Sequence, residues 1–280
     1  MWFYNYKKSI VELDTNGYFI SDRNYAKWLY ANDVYNAEAG MINSIKCGDS
    51  QYIANKSKIF LDVGAHHGMW SFNLAPFFKE TYAFEPNSKS FNYLCANIAV
   101  KDLHYTVNTH RFGIGDSNNI LTFYKRTSKY DGQGGLDGFL DLDAVQIDEV
   151  NTEEIEVRTI DSLNIGDVGF IKIDVEGFEE NVILGAKETI KKSNNTPILF
   201  ESWYPGKEPW DNNTVVKLRT KLLTTLQELG YNQFTEWLHH GEMILAEKVN
   251  NQTTSIYYNK DKTRKQSLSS YLDELSTYIN

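Results

Sequence analysis

The sequence predicts an α/β fold: a parallel sheet with helices on both faces. Three observations predict it. Short apolar runs recur, first at Ile59, Phe60, Leu61 and Val63, then at Tyr82–Phe84 and across 168–175, as strands buried on both faces require. Between them, apolar residues return with helical period, as in Phe91, Leu94, Cys95, Ile98 and Ala99. The first run ends in a glycine turn, Gly64 to Gly68, directly before the helical segment that begins Met69-Trp70. Strand, turn and helix in alternation imply βαβ units.

Each element has its own signal. Residues 1–55 are rich in aromatics, among them Trp2, Phe3, Tyr4, Tyr25, Trp28 and Tyr30, and are partly helical from Tyr25 to Ile45. They read as an N-terminal helical cap over the sheet edge, either ordinary packing or an aromatic wall for a substrate. Strand 59–63, helix 69–79, strand 81–85, helix 88–100 and strand 104–110 follow. Phe112–Asp116 then turns into a strand at Ile120–Tyr124. Residues 126–154 carry four glycines from Gly132 to Gly138 and many acids, including Asp137, Asp141, Glu149 and Glu153. They read as a long loop, a lid or plain surface. Strands at 155–160 and 168–175, a helix at 178–192 and a strand at Pro197–Trp203 come next. Val215, Leu218, Leu222, Leu226 and Leu229 mark a helix at 214–229, stopped by Gly230. A hairpin at 231–238 and 242–249 turns at His239-His240-Gly241. The tail is polar, then helical, with Leu268, Tyr271, Leu272, Leu275, Tyr278 and Ile279 on one face. That face docks on its own domain or forms a homodimer contact. The expected division is a cap at 1–55, a catalytic domain at 56–250, and a linker with an amphipathic helix at 251–280.

Composition narrows the function. With 41% apolar and 23% charged residues in 280, the chain is long enough for a sizeable core. A formal charge of −9 argues against a broad nucleic-acid footprint, and the one dense basic cluster is Lys260–Lys265. Two cysteines, Cys47 and Cys95, form no CxxC pair or disulfide framework, which suits a reduced cytoplasmic setting. No signal peptide and no apolar run of transmembrane length is visible.

The glycine turn separates two cofactor classes. A dinucleotide site wants G-x-G-x-x-G. Here the pattern is Asp62-x-Gly64-x-x-x-Gly68, close to the D-x-G-x-G-x-G of S-adenosylmethionine (SAM) methyltransferases, with His66 in the middle glycine slot. Histidine tolerates positive φ better than most residues, so the turn stays possible. Glu85 follows 23 residues after Asp62, where an acid grips a ribose diol.

Asp62–Gly68, Ala83-Phe-Glu-Pro86, Gly113-Ile-Gly-Asp116, Thr159–Leu163 and Lys172-Ile-Asp-Val-Glu-Gly-Phe-Glu179 together resemble the FkbM family of class I SAM-dependent methyltransferases. The resemblance covers about residues 28–245, and its most specific block is Lys172–Gly177. It implies a Rossmann-like seven-stranded, mostly parallel sheet with an antiparallel last strand. It also implies methyl transfer, usually to a hydroxyl of a sugar or natural product. Two positions depart from the family's usual residues: His66, where Asn is usual, and Gly113, where Ala is usual.

The chemistry assigns roles. Backbone N–H groups of Gly64, Ala65, His66 and Gly68 are expected to face the cofactor's carboxylate, and Asp62 its ammonium. Glu85 takes the ribose; Asp116 and the turn at Pro86 take the adenine. Gly113 belongs to the same cofactor wall. Asp174 or Glu176 is the expected base or acceptor-orienting group, with Lys172 and Glu201 as a supporting charge pair, and Asp174 also lines the cofactor. Lys172, Asp174 and Glu176 are expected to alternate along one strand. No metal is assigned; Asp174, Glu201 and a histidine are the conceivable ligands. The expected acceptor is a glycan or other small hydroxylated molecule. Ribose 2′-O methylation of RNA and a non-catalytic SAM-binding scaffold are the alternatives.

Overall fold

The computed structural model describes residues 10–13, 17–21, 34–47, 53–128, 137–141, 147–193, 195–206, 211–237, 243–250, 253–257 and 265–279. Its main sheet is built on β3 (Ile59–Val63), which lies between β4 (Glu80–Phe84) and β9 (Val168–Ile173), parallel to both. β5 (Val107–His110) flanks β4, and β10 (Ile198–Glu201) flanks β9, again in parallel. β12 (Met243–Glu247) runs antiparallel between β10 and β11 (Gln233–Trp237). These seven strands give the expected mostly parallel sheet with an antiparallel last strand. Two short strands, β13 (Ser255–Tyr257) and β14 (Lys265–Ser267), extend it to nine, in a stretch that reads as polar linker. The chain leaves β3 outward to β5 and then crosses back to β9, so the strand order reverses between β3 and β9. Ligands of open α/β sheets bind at that crevice, beyond the carboxyl ends of the strands.

Side-chain alternation explains the two covered faces. Ile59, Leu61 and Val63 enter one core cluster and Phe60 the other. The first cluster is closed by α4 (Glu179–Leu184), α5 (Lys187–Lys192), α6 (Asn212–Glu228) and α7 (Leu268–Ser276). The second is closed by α1 (Val34–Cys47), α2 (Met69–Leu74) and α3 (Ser88–Val100). Helix α3 starts where Asn87 accepts from the amides of Lys89 and Ser90, an N-cap that fixes the chain leaving β4. The helix expected at 178–192 is two helices, broken at Gly185, where a Cβ would lie 1.9 Å from Gly115 O.

Two further expectations need correction. The stretch 126–154 is not one long loop: β7 (Asn119–Ser128) and β8 (Ile147–Arg158) pair antiparallel, and with β6 (Gly113–Ile114) form a separate three-stranded sheet. The N-terminal segment is not purely helical, since β1 (Ile10–Leu13) and β2 (Gly17–Ile20) form a hairpin. Of the two roles open to the tail helix, docking on its own domain is seen: Leu268, Tyr271 and Leu275 of α7 are each 1% exposed in the first core cluster, while Ile279 beyond it is 48% exposed. The aromatics Trp2 to Tyr6 and Tyr25 to Tyr30, and the turn at His239-His240, lie outside the described residues.

Candidate functional site

The glycine turn after β3 is shaped by close approach to β9. A Cβ on Gly64 would sit 1.8 Å from the carbonyl oxygen of Asp174, and its φ is +76°. His66 follows at φ +49°, as its slot in the motif requires, and Gly68 at +87° opens α2. The amides expected to face a ligand carboxylate have partners inside the chain instead. Gly64 and Ala65 N–H donate to Phe84 O, Gly68 N–H to Ala65 O, and His66 N–H to Glu85 Oε2 at 2.8 Å. The turn is therefore a rigid wall rather than an open anion nest, and α2 is only six residues long.

Glu85 clasps that wall to the next turn. Its other oxygen accepts from Asn87 N–H at 2.8 Å, and the side chain is 6% exposed. Burial pushes its pKa up to about 7 against the pull of these two amides. Each carboxylate oxygen retains a further acceptor position. Pro86 beside it is buried. Gly113 is also buried, and a Cβ there would lie 2.4 Å from the Phe139 ring, so the position has no room for a side chain without a shift of that ring. Asp116 is exposed, accepting from Ser117 Oγ and from Asn181 Nδ2 of α4.

Lys172 lies beneath the crevice, 3% exposed. Its ammonium donates to Gly64 O at 2.9 Å and lies 3.3 Å from Asp174 Oδ2 and 3.7 Å from Asp62 Oδ1. The expected pair with Glu201 is corrected: strand β9 sits next to β3, with Lys172 in register with Asp62, so the lysine meets the acids of those two strand ends. Asp62 is fully buried and bound by Ser71 Oγ at 2.5 Å, with Oδ1 left without a hydrogen bond. Burial raises the Asp62 pKa, and Lys172 opposes that. Lys172 itself is held charged by Asp174, Asp62 and Glu38 despite its burial.

Asp174 and Glu176 do not continue the strand. β9 stops at Ile173, and Glu176 adopts φ +54° in a turn with Gly177 at +94°. Glu179 holds that turn, its Oε1 accepting from the amides of Val175 and Gly177. A glutamate in the left-handed region is strained, a cost commonly met at working sites. The turn brings Asp174, Glu176 and Glu201 together, with one carboxylate oxygen of each within 4.8 Å of the others. Burial, and then the charges of Asp174, Glu179 and Asp137, raise the Glu176 pKa well above its ordinary value.

Several residues at the site carried no sequence signal. Glu38 of α1 accepts from the Trp70 indole and faces Lys172, Asp174 and Asp62; burial raises its pKa to about 7. Glu179 closes the quoted motif Lys172–Glu179 without a role assigned to it there, and only the strained turn reveals that role. Asp137, one acid among many, bonds Asn87 Nδ2 at 2.6 Å and Arg126 N at 2.7 Å. On the other side of the turn, Asn97 bridges Ile20 of β2 to His67 O, and Ser21 Oγ bonds His67 Nδ1 at 2.9 Å.

Comparison with known proteins agrees with this geometry. The methyltransferase FkbM domain family matches residues 62–233, from the acid of β3 into β11. No curated protein matches the chain. Among solved structures, an FkbM methyltransferase from Methylobacillus flagellatus is 16% identical with a TM-score of 0.49, over 74% of this chain and 47% of its own. The chain thus spans about half the length of that protein. A Streptococcus mutans methyltransferase in complex with SAH is 11% identical, TM-score 0.46, over 76% of this chain and 98% of its own. An rRNA methylase from Streptococcus thermophilus is 10% identical, TM-score 0.42, over 71% and 91%. Likeness at this level says nothing of the acceptor. With the family match spanning more than half of its residues, the chain belongs to the methyltransferase FkbM domain family.

Proposed function

We propose that the protein O-methylates a hydroxyl of a sugar, glycan or other small hydroxylated acceptor. The observation that carries this reading is the meeting of Asp174, Glu176 and Glu201 at the strand ends beside the glycine turn. In this reading SAM lies along Asp62, Gly64–Gly68, Glu85, Pro86, Gly113 and Asp174, and supplies the electrophilic methyl. Glu85 offers its remaining acceptor positions to the ribose hydroxyls, and Asp62 acts through Lys172 rather than by touching the ligand. Asp116, exposed and tied to α4, takes the adenine edge.

The acceptor hydroxyl sits against the acids. Its oxygen forms the new bond to the methyl carbon while the carbon–sulfur bond breaks, and its proton passes to a carboxylate. Glu176 suits that step, because a raised pKa makes its ionised form a stronger base. Glu201 and Asp174 orient the hydroxyl, and Lys172 holds Asp174 in place. The catalytic unit is the expected 56–250, with the cap of 1–55 closing over it. The buried face of α1 supports that closure: Met41, Ile42 and Ile45 share a core cluster with Trp70. We place the reaction in the cytoplasm, as the paucity of cysteines suits; among the described residues no helix is long and apolar enough to cross a membrane.

The test is transfer of labelled methyl from SAM to a panel of saccharides and to RNA. Transfer to saccharides, lost in Glu176→Gln or Asp174→Asn with SAM binding kept, is the expected result. Full turnover in both variants removes the base. Salt-sensitive transfer to RNA alone replaces the acceptor class with the ribose 2′-hydroxyl. Binding of SAM with no transfer to any acceptor supports a scaffold.

A further inference from the structure

The segment Asp137–Leu140 crosses from one half of the crevice to the other. On the acid side it is firmly packed. Phe139 packs edge-on against Phe123 at 5.0 Å and at a tilt against Phe178 at 5.3 Å between ring centres, and its ring covers Gly113. Gly138 exchanges two backbone hydrogen bonds with Tyr124, at 2.8 and 3.1 Å, and its Cα hydrogen faces Glu176, whose Cβ would be 3.4 Å from an added methyl. Leu140 rests on Gly177, and its carbonyl accepts from the Arg126 guanidinium.

Towards the turn after β4 the segment makes a polar bond, from Asn87 Nδ2 to Asp137 Oδ2 at 2.6 Å. The other Asp137 oxygen is taken by Arg126 N–H at 2.7 Å. Asn87 cannot turn its amide over, because its oxygen caps α3 through the amides of Lys89 and Ser90. The bond therefore requires an acceptor at 137. A carboxylate meets that need while standing close enough to Glu85 to raise its pKa, an unfavourable pairing that packing alone does not call for.

We propose that Asp137 is a further cofactor-site residue: a latch that fastens the Asp137–Leu140 segment across the crevice and retains the bound cofactor. This rests on the cofactor seat at Glu85 and Asn87 put forward above. In Asp137→Asn the new amide can still accept from Arg126 N–H, but its nitrogen meets the Asn87 donor, so the fastening to the β4 turn is lost while the fold side is kept.

The test is the rate of S-adenosylhomocysteine release from the full chain, followed by stopped-flow tryptophan fluorescence. Asp137→Asn should release it about tenfold faster, the effect of one hydrogen bond to a charged group, with a smaller change in association. Glu85→Ala is the control for the seat. Loss of binding in Glu85→Ala with an unchanged release rate in Asp137→Asn overturns the latch alone. Wild-type binding by Glu85→Ala overturns the seat and the latch with it. A measurement on the wild type guards against a variant that does not fold: hydrogen exchange of the Arg126 and Gly138 amides should slow on saturation with S-adenosylhomocysteine, and unchanged exchange overturns the latch.

Discussion

Lys172 and Arg219 are both buried, and they are held in opposite ways. Arg219 of α6 is 1% exposed and closely bound: Nε donates to Tyr271 OH at 2.8 Å, one terminal nitrogen to Ser202 O and the other to Glu236, each at 2.5 Å. Tyr271 OH then donates to the same Glu236 oxygen at 3.1 Å. The network ties α6, β11 and α7 together. Lys172, equally buried, has one good hydrogen bond and two looser ion pairs, and the acid beside it keeps an oxygen without a hydrogen bond. Short, mutually satisfied bonds fix a structure. Loose contacts among several carboxylates leave charge available to respond when a ligand arrives, and that is the difference between a clamp and a site.

The largest expected effect breaks the clamp. Arg219→Met leaves Glu236 buried without its cation and should cost about 3–5 kcal/mol in urea unfolding. Transfer per folded molecule should be unchanged. Lys172→Met reverses the pattern: a smaller loss of stability, with turnover down on the order of 10²–10³-fold, as for removal of a preorganised charge at a reacting centre. Equal losses of activity in both variants would erase the distinction.

Gly113→Ala adds one methyl to the buried wall. Here it meets the Phe139 ring, so it should cost about 1–3 kcal/mol by overpacking, and Phe139→Leu should restore much of that.

The smallest effect is a pH signature. Glu85 holds its proton more tightly when folded, with a pKa of about 7, than when unfolded. Its contribution to stability is therefore full below the ordinary glutamate range and is lost as pH rises through about 7. Glu85→Gln cannot titrate, so the stability of the variant relative to wild type should improve between pH 5 and pH 8. A constant difference across that range would place Glu85 in a more solvated setting.

The two regions also differ in what the sequence discloses. The strand–turn–helix at Ile59–Leu74 is legible because its signals are local: an apolar run, glycines at positive φ, and a helical period. Helix 88–100 is legible because Phe91, Leu94, Cys95, Ile98 and Ala99 return with helical period. The partner of Lys172 is not legible, since the neighbour of β9 is β3, 108 residues away between Lys172 and Gly64. Glu176 reads as strand because alternation cannot reveal a left-handed turn. The inner halves of β7 and β8 read as strands, but the first half of β8 reads as loop because Glu149, Glu153 and Glu154 occupy it in the small three-stranded sheet, where apolar alternation is weak. Glu38 lies in a helix far from every motif, and only packing brings it to Lys172.

The most direct test of the site is calorimetric titration of S-adenosylhomocysteine into wild type and Glu85→Ala at pH 8. The account predicts micromolar binding by the wild type and its loss in the variant. Equal binding by both would contradict a cofactor seat at the ends of β3 and β4.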